Sequence, residues 1–477
     1  MDALADAFLA GLLRREPDPA LLETAGDEDP TRSATAFLAA IDDPALAPTA
    51  ERWIPTLLRT ARPGFGASCL AELARGLRGL GTSLDLECFA AVPAVLGSSN
   101  FLARLLLRHP DWALDLSGDV PPVPSDQPVE ADWTAMRLAK YRGLLRIAAR
   151  DLAGRPFEAG LRELSALADR CLVSALTCAA EETGYPPPAL LALGKLGGCE
   201  LNFSSDVDLL FLYTPSPEYD ELEQNQNVAA LIRHFKRQLE APTTDGFGYR
   251  VDLDLRPEGR TGVLANSVDA ALAYYETFGA EWERQMLIRL RGVGGPAEVR
   301  EAFCEGIAPF IYRRLIDPGV MTAVRNMKAR IESERRSAGR DLEADLKEGP
   351  GGIRDVEFIV QSLQLFFGGR HPELRTGNVL DSLAALRDLG HLPESITAPL
   401  ANAYLWLRRA EHCLQLPEEQ QTARFPRDPR SQIALARRMG YRQSEGRTAR
   451  DTLMEDWSAV RTEVRGHFDA LVLSAAS

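Results

Sequence analysis

Two aspartates at the start of an apolar segment are the residues of this sequence best suited to chemistry. Asp206 and Asp208 lie in GKLGGCELNFSSDVDLLFLY (194–213), where the run VDLLFLY begins. If that run is a β-strand, residues two apart point to the same face, so both carboxylates converge. Two carboxylates about 4 Å apart repel by roughly 4 kcal/mol at an effective dielectric constant of 20. A raised pKa on one acid or a bound cation must offset this repulsion, and hard oxygen ligands favour Mg²⁺.

The segment before the aspartates suits a phosphate-bearing substrate. Gly194 and Gly197 permit tight turns and a close backbone approach, while Lys195 supplies a positive charge. Ser204 and Ser205 offer hydroxyl and amide donors. The spacing fits neither G-x-x-x-x-G-K-[ST] nor G-x-G-x-x-G. A lone D-x-D is usually a turn or an exposed strand face, but its combination with this lead-in favours a metal and phosphate site.

A two-metal phosphoryl or nucleotidyl site needs a third carboxylate from elsewhere in the sheet. The segment GYRVDLDLRPEGRTG (248–262) offers Asp252 and Asp254 on one face of a second predicted strand, over 248–255. Arg256 and Arg260 follow in a glycine-containing loop. These two arginines and Lys195 could contact phosphate, or they could be ordinary solvated charges on the surface; the sequence leaves both roles open.

Other titratable residues have plainer explanations. Asp355 and Glu357 lie near the amino end of the predicted amphipathic helix in GGIRDVEFIVQSLQL (351–365). Acids there are favoured by the helix dipole, and direct metal ligation is the alternative. His234 and His412 fall within helical patterns and are predicted to be structural.

The elements that must position these residues indicate an α+β fold that is mainly helical. Apolar residues recur at helical spacing up to about residue 117, and a Pro- and Asp-rich linker occupies 115–133. Short strands are predicted at 189–194, 207–213 and 248–255, with a helix in NVAALIRHFKRQLEA, and helices return from EWERQMLIRLR to the end. We predict a helical region at 1–128, a catalytic domain with a small mixed sheet at 129–300, and a helical bundle at 301–477.

Composition restricts the class of partner. The 477 residues carry a formal net charge of −14, which disfavours nucleic acid binding through a basic surface. No segment has the roughly 20 continuous apolar residues of a membrane span, and acidic residues replace the basic ones of a secretory signal. Seven scattered cysteines show neither C-x-x-C nor a zinc spacing. We therefore expect a cytoplasmic protein with reduced thiols.

The motifs together resemble those of the glutamine synthetase adenylyltransferase/adenylyl-removing enzymes, in the DNA polymerase β-type nucleotidyltransferase superfamily. The resemblance covers most of the chain from about residue 95 and rests on five stretches: GKLGGCELNFSSDVDLLFLY, TTDGFGYRVDLDLRPEGRTG, the Trp-Glu-Arg of EWERQMLIRLR, YRRLIDPGVMTAVRNMKARI and EGPGGIRDVEFIVQSLQL. Family enzymes have two such units, and this chain holds one. The Asn-Phe-Ser-Ser-Asp form at 202–206 resembles the amino-terminal, AMP-removing unit.

The resemblance implies a site and a reaction. Asp206, Asp208 and Asp252 would bind two Mg²⁺, or Mn²⁺ in their place, whereas Asp254 departs from the family pattern. From the residue types themselves, rather than from the resemblance, we expect contacts to phosphate or nucleotide from Gly194, Lys195, Gly197, Ser204, Ser205 and Arg256. Phosphate would release AMP from an adenylylated tyrosine of glutamine synthetase as ADP, under regulation by the PII signal protein.

Three alternatives stay open at this point. The chain could add AMP from ATP to glutamine synthetase, or it could be a catalytically silent regulatory module. It could also be a nucleotidyltransferase for a small alcohol or RNA, although the net charge disfavours RNA.

Overall fold

The computed structural model describes all residues except 1, 25–26, 28, 86, 125–126, 219, 315–318, 338, 340, 444–445 and 474–477. The described residues form twenty α-helices: α1 (Asp2–Leu13), α2 (Pro19–Thr24), α3 (Pro30–Ile41), α4 (Ala50–Leu58), α5 (Pro63–Gly79), α6 (Val92–Ser98), α7 (Asn100–Arg108), α8 (Trp133–Leu152), α9 (Phe157–Thr183), α10 (Gly194–Gly197), α11 (Glu221–Glu240), α12 (Val268–Phe278), α13 (Glu281–Leu287), α14 (Ala297–Ile311), α15 (Gly319–Ser337), α16 (Ile353–Phe367), α17 (Val379–Asp388), α18 (Glu394–Gln415), α19 (Pro429–Arg438) and α20 (Ala449–Phe468). Five strands accompany them: β1 (Ala189–Ala192), β2 (Val207–Tyr213), β3 (Val251–Asp252), β4 (Asn266–Ser267) and β5 (Arg291–Gly294). The predicted fold class, mainly helical α+β with a small mixed sheet, is confirmed. Within the described ranges, no helix combines the length and apolar character needed to span a bilayer.

The chain divides into two compact units. Unit 1 comprises Met1–Val123, Tyr141–Gly160 and Arg409–Ala459. Unit 2 comprises Pro124–Lys140, Leu161–Arg408 and Val460–Ser477, and it contains the sheet. The predicted boundaries at 128 and 300 stay predictions.

Unit 1 is built from short capped helices around an aromatic core. The Asp29 carboxylate accepts a hydrogen bond from the Arg32 amide at the start of α3, and the Ser99 hydroxyl accepts one from the Leu102 amide in α7. Phe37 stacks on Trp53, with 5.9 Å between ring centroids. Both side chains are fully buried, so removal of either ring should cost several kcal/mol, roughly 3–5.

The sheet of unit 2 is centred on β2. Among the described residues the strand order is β3-β2-β1-β5, and β4 also pairs with β2. β1 and β2 are antiparallel, whereas β3 and β4 run parallel to β2. Because β3 pairs with the first residues of β2 and β4 with its last, β3 lies beside the two predicted aspartates.

Alternation along β2 separates two packed faces. Leu210 and Leu212 belong to a cluster with Tyr275 of α12 and Phe303 of α14. Phe211 points the other way and meets Phe235 of α11, with 5.5 Å between ring centroids. Asp206 and Asp208 continue the alternation of Leu210 and Leu212 toward the strand's amino end, where the apolar cluster stops.

Two of the predicted elements are partly wrong. The strand predicted over 248–255 is restricted to β3, and Asp254 lies in the turn that follows. The helix predicted over 281–291 ends at Leu287, and Arg291–Gly294 forms β5. Gly292 and Gly294 give β5 little intrinsic strand preference, but hydrogen bonds to the edge of β1 select it.

Candidate functional site

The three predicted carboxylates converge at the junction of β2 and β3. The Cα of Asp208 is the register partner of the Cα of Asp252 across the parallel pair, and Asp206 precedes β2 by one residue. All three side chains are partly exposed, while Val207 and Val251 between them are buried. The prediction that Asp206 and Asp208 share a face therefore agrees with the structure.

The electrostatics of Asp208 reflect this crowding. Burial, together with the charges of Asp206 and Asp252, raises the pKa of Asp208 to about 7 against the opposing effect of Lys347 and Lys195. A carboxylate in this environment is stabilised in its ionised form by added positive charge.

The donor chemistry of the site suits a divalent cation. Carboxylate oxygens are the preferred ligands of Mg²⁺, and the mutual repulsion at Asp208 is what such an ion relieves. One oxygen of Asp252 already accepts a hydrogen bond of 2.7 Å from the amide of Asp254. In the described part of the chain, no group of three or more His, Cys, Asp or Glu side chains is arranged so that it could hold a metal ion. The metal-binding role of Asp206, Asp208 and Asp252 therefore stays a prediction.

Glycine is required where the loop after β1 passes Asp208. Gly194 has a φ of 54°, and a Cβ built there would lie 1.9 Å from Oδ2 of Asp208. The amide of Leu193 also donates to the carbonyl of Asp208 at 2.9 Å. Gly197 is equally restricted, because its Cβ would lie 1.8 Å from the carbonyl oxygen of Arg289. Gly194 therefore allows this segment, with Lys195, to lie against the carboxylate of Asp208, and Gly197 allows it to lie against the backbone at Arg289.

Ser204 and Ser205 are buried in the turn that leads into β2. The Ser205 hydroxyl accepts a hydrogen bond of 3.2 Å from the Asn202 amide. Arg250 donates to the carbonyl of Ser204 at 3.1 Å and to its hydroxyl at 3.3 Å. These contacts shape the approach to Asp206, and the predicted role of both serines in binding phosphate stays a prediction.

Arg256 shapes the loop after β3. Its buried guanidinium donates to four backbone carbonyls, those of Leu253, Arg260, Gly262 and Val263. Asp254 pairs with exposed Arg260 at 2.6 Å. The structure therefore separates the two acids of this segment: Asp252 lies beside Asp208, and Asp254 belongs to the turn.

A buried charged network behind the site was not predicted from the sequence. The carboxylate of Glu200 accepts hydrogen bonds from the Val379 amide at 3.0 Å and the Tyr404 hydroxyl at 2.9 Å. Arg289 lies 3.2 Å from Glu200 and 3.1 Å from Glu357, and all three are buried. Arg408 donates to the Asn202 side chain at 2.7 Å and to the Glu200 carbonyl. The network ties the turn before Asp206 to α16, α17 and α18.

The two acids of α16 have cationic partners inside unit 2. Burial opposes ionisation of Glu357, but the charges of Arg289, Arg354, Lys347 and Arg408 outweigh it and lower the pKa to about 2. Burial raises the pKa of Asp355, which pairs with Lys328 at 2.7 Å and accepts from the Gly351 amide. Ion pairing, rather than the helix dipole alone, accounts for both acids.

The positive charge of Lys347 lowers the pKa of both Asp208 and Glu357. Lys347 is a functional candidate that the motif analysis missed. Its position directly before EGPGGIRD was the available signal. His234 contacts Glu182, and the imidazole of His412 lies 3.4 Å from Asp151, so both histidines have ordinary structural partners.

Comparison with known proteins gives two family matches. Residues 89–306 match the family model described as glutamate-ammonia ligase adenylyltransferase, and residues 325–472 match the one described as GlnD PII-uridylyltransferase. A protein of Nitrosococcus oceani is 36% identical over 428 residues, 83% of this chain and 43% of that protein. One from Thioalkalivibrio sulfidiphilus is 37% identical over 396 residues, 75% of this chain and 40% of that protein. Both are described as bifunctional glutamine synthetase adenylyltransferase/adenylyl-removing enzyme.

The chain spans about two fifths of the length of these two curated relatives. The predicted resemblance to the glutamine synthetase adenylyltransferase/adenylyl-removing enzymes is confirmed.

Proposed function

We propose that this chain is an adenylyl-removase acting on glutamine synthetase. The proposal is supported by the match of residues 89–306 to the family model described as glutamate-ammonia ligase adenylyltransferase. Inorganic phosphate attacks the α-phosphorus of an adenylylated tyrosine, and the bond from that phosphorus to the tyrosine oxygen breaks. The products are ADP and free tyrosine. The observation that carries the proposal is the pairing of Asp208 with Asp252 beside Asp206, inside the segment that matches the family.

The removing direction rests on the sequence of the turn before β2. The Asn-Phe-Ser-Ser-Asp form at 202–206 resembles the amino-terminal unit of the family. The names of both relatives include the adding activity as well, so ATP-dependent adenylylation is the second candidate function.

The chain's own residues supply three parts of the mechanism. Asp206, Asp208 and Asp252 would hold two Mg²⁺, or Mn²⁺ in their place, whose charge screens the reacting phosphates and stabilises the equatorial oxygens of the transition state. Lys195 and Lys347 place fixed positive charge near Asp208, which also favours an anionic substrate. The backbone at Gly194 lies so close to Asp208 that a Cβ there would lie 1.9 Å from Oδ2, which restricts where that carboxylate can move.

Proton transfer makes different demands in the two directions. Phosphate is already an anion at neutral pH and needs no general base. The departing tyrosine oxygen has a pKa of about 10, so it must be stabilised or protonated as it leaves. Asp252 acts first as a cation ligand in this scheme.

Two protein partners and a cellular location follow from the proposed activity. Glutamine synthetase is the protein substrate, and the PII signal protein is the regulator. The family model matched by residues 325–472 is named for a PII-modifying enzyme, which supports a search for PII contacts there. No nucleic acid or membrane takes part. The proposed location is the cytoplasm, where seven cysteines without a disulfide would stay reduced.

A two-arm assay distinguishes the candidate functions. In one arm the chain is incubated with adenylylated glutamine synthetase, Mg²⁺ and phosphate; in the other, with unmodified glutamine synthetase, Mg²⁺ and ATP labelled at the α-phosphorus. We expect release of ADP in the first arm and no labelled protein in the second. Labelling without phosphorolysis would assign the adding direction, and activity in neither arm would favour the regulatory module.

A further inference from the structure

An arginine-rich cavity lies in unit 1. It has a volume of about 360 Å³ and is lined by residues from α4, α6, α8, α18 and α19 and from the segments that adjoin these helices or follow α7. Six of its lining residues are arginines: Arg59, Arg150, Arg409, Arg437, Arg438 and Arg442. This concentration of positive charge stands out in a chain with a net charge of −14.

Two arginines of the cavity donate hydrogen bonds to backbone carbonyls. Arg437 donates to the carbonyl of Thr60 at 2.8 Å, and Arg442 donates to the carbonyl of Tyr441 at 2.9 Å. These acceptors orient the guanidinium groups but carry no formal charge. In the part of the chain that the structure describes, Arg409, Arg437 and Arg442 have no carboxylate within ion-pair distance. Asp119 is the acidic residue among the described lining residues.

The arginines repel one another in a partly desolvated space. Burial, together with the charge of Arg442, lowers the pKa of Arg437 to about 10 against the opposing effect of Asp27. Burial and the neighbouring Arg59 lower the pKa of Arg442. Such an arrangement is unfavourable unless negative charge enters the cavity.

We propose that this cavity is a binding site for a small metabolite whose phosphate or carboxylate groups carry at least two negative charges. Guanidinium groups present planar pairs of donors that match both kinds of oxyanion. Ala94, Val120 and Leu152 provide an apolar wall for the rest of the ligand. The volume is within the lower range of small-molecule sites, roughly 300–1,000 Å³. The site is separate from the aspartates, which all lie in unit 2.

Calorimetric titration of the whole chain tests the proposal. Sodium pyrophosphate and citrate serve as separate probes, in EDTA so that no divalent cation assists binding at the aspartates. We expect one equivalent of at least one probe to bind. A preference for pyrophosphate would identify a phosphate ligand, and a preference for citrate a carboxylate ligand. Failure of both probes to bind would overturn the proposal.

Matched variants locate the binding. Arg442→Gln and Arg409→Gln should each weaken it by about tenfold or more, because each removes a charge that faces the ligand. Arg75→Gln, which removes an exposed arginine of α5 outside the cavity, and Asp208→Asn should leave it unchanged. Unchanged affinity in both cavity variants, or loss of binding in Asp208→Asn alone, would contradict the site.

Chemical modification of the wild-type chain tests the same site without variants, which could fail to fold. Phenylglyoxal modifies accessible arginines, and peptide mass spectrometry reports the rate at each position. The bound probe should slow modification of Arg409 and Arg442 at least several-fold while leaving Arg75 unaffected. Equal rates with and without a saturating probe would refute the proposal.

Discussion

Replacement of Gly194 by alanine should disable the site while leaving most of the fold in place. The alanine Cβ would lie 1.9 Å from Oδ2 of Asp208, whereas Cβ contacts below 3.0 Å essentially never occur. The carboxylate must therefore move by more than about 1 Å, and a displacement of that size at a reacting centre can cost on the order of 100-fold in rate. The φ of 54° adds a backbone cost of about 1 kcal/mol for a residue with a side chain.

Gly184 provides the matched control for this prediction. It has a φ of 68° in unit 2, but a Cβ built there would meet nothing within 4 Å. Gly184→Ala should thus lose about 1 kcal/mol of stability and keep its activity. The assay is the initial rate of ADP release from adenylylated glutamine synthetase, with urea unfolding for each variant. If Gly194→Ala matched Gly184→Ala in rate, the close approach of the loop to Asp208 would have no catalytic importance.

Three further predictions concern single acids. Asp252→Asn should lower the phosphorolysis rate by orders of magnitude, because Asp252 lies beside Asp208. Asp254→Asn, which removes the partner of exposed Arg260, should keep a rate within a few-fold of wild type. Rates measured across a Mg²⁺ titration test this, and a more severe defect in Asp254→Asn would make Asp254 the cation ligand instead. Glu357→Gln should lower the free energy of unfolding by about 3 kcal/mol, because buried Arg289 loses a charged partner. Glu343→Gln, which removes the exposed partner of Arg461, should lower it by at most about 1 kcal/mol. Equal losses of stability in urea unfolding would contradict the importance of the buried network. The pKa of Glu357 is lowered from 4.5 to about 2, so ionised Glu357 stabilises the fold fully above pH 4.5, and this contribution is lost as the pH falls toward 2. The free energies of unfolding of wild type and Glu357→Gln should therefore converge over that interval, and a constant difference between them would show that Glu357 does not titrate there.

Local patterns predicted the elements whose signals lie in their own residues. VDLLFLY forms β2 over its full length, and α16 (Ile353–Phe367) overlaps the amphipathic helix predicted within 351–365. The predictions of β2 and α16 depend on short-range periodicity. A third acid from 248–262 was expected from the chemistry of the site, and the choice of Asp252 over Asp254 came from the family resemblance.

The remaining features depend on partners distant in the sequence. β5 forms because the edge of β1 offers hydrogen bonds to a segment containing two glycines. The ion pairs of Arg289 with Glu200 and Glu357 join three separate parts of unit 2, and no spacing rule connects them. Gly194 could be assigned to a turn from its type, but its contact with Asp208 appears only when β1 and β2 are paired.

We propose that Asp206, Asp208 and Asp252 form a cation-dependent site that releases AMP from glutamine synthetase by phosphorolysis. Its most direct test is the rate of ADP formation from adenylylated glutamine synthetase, measured for the wild-type chain and for Asp208→Asn with and without phosphate and Mg²⁺. The wild-type chain should form ADP only when both phosphate and Mg²⁺ are present, and folded Asp208→Asn should form none, because neutralising a cation ligand removes activity without opening a cavity. A wild-type chain that forms no ADP, or an Asp208→Asn variant that forms it at the wild-type rate, would contradict the account.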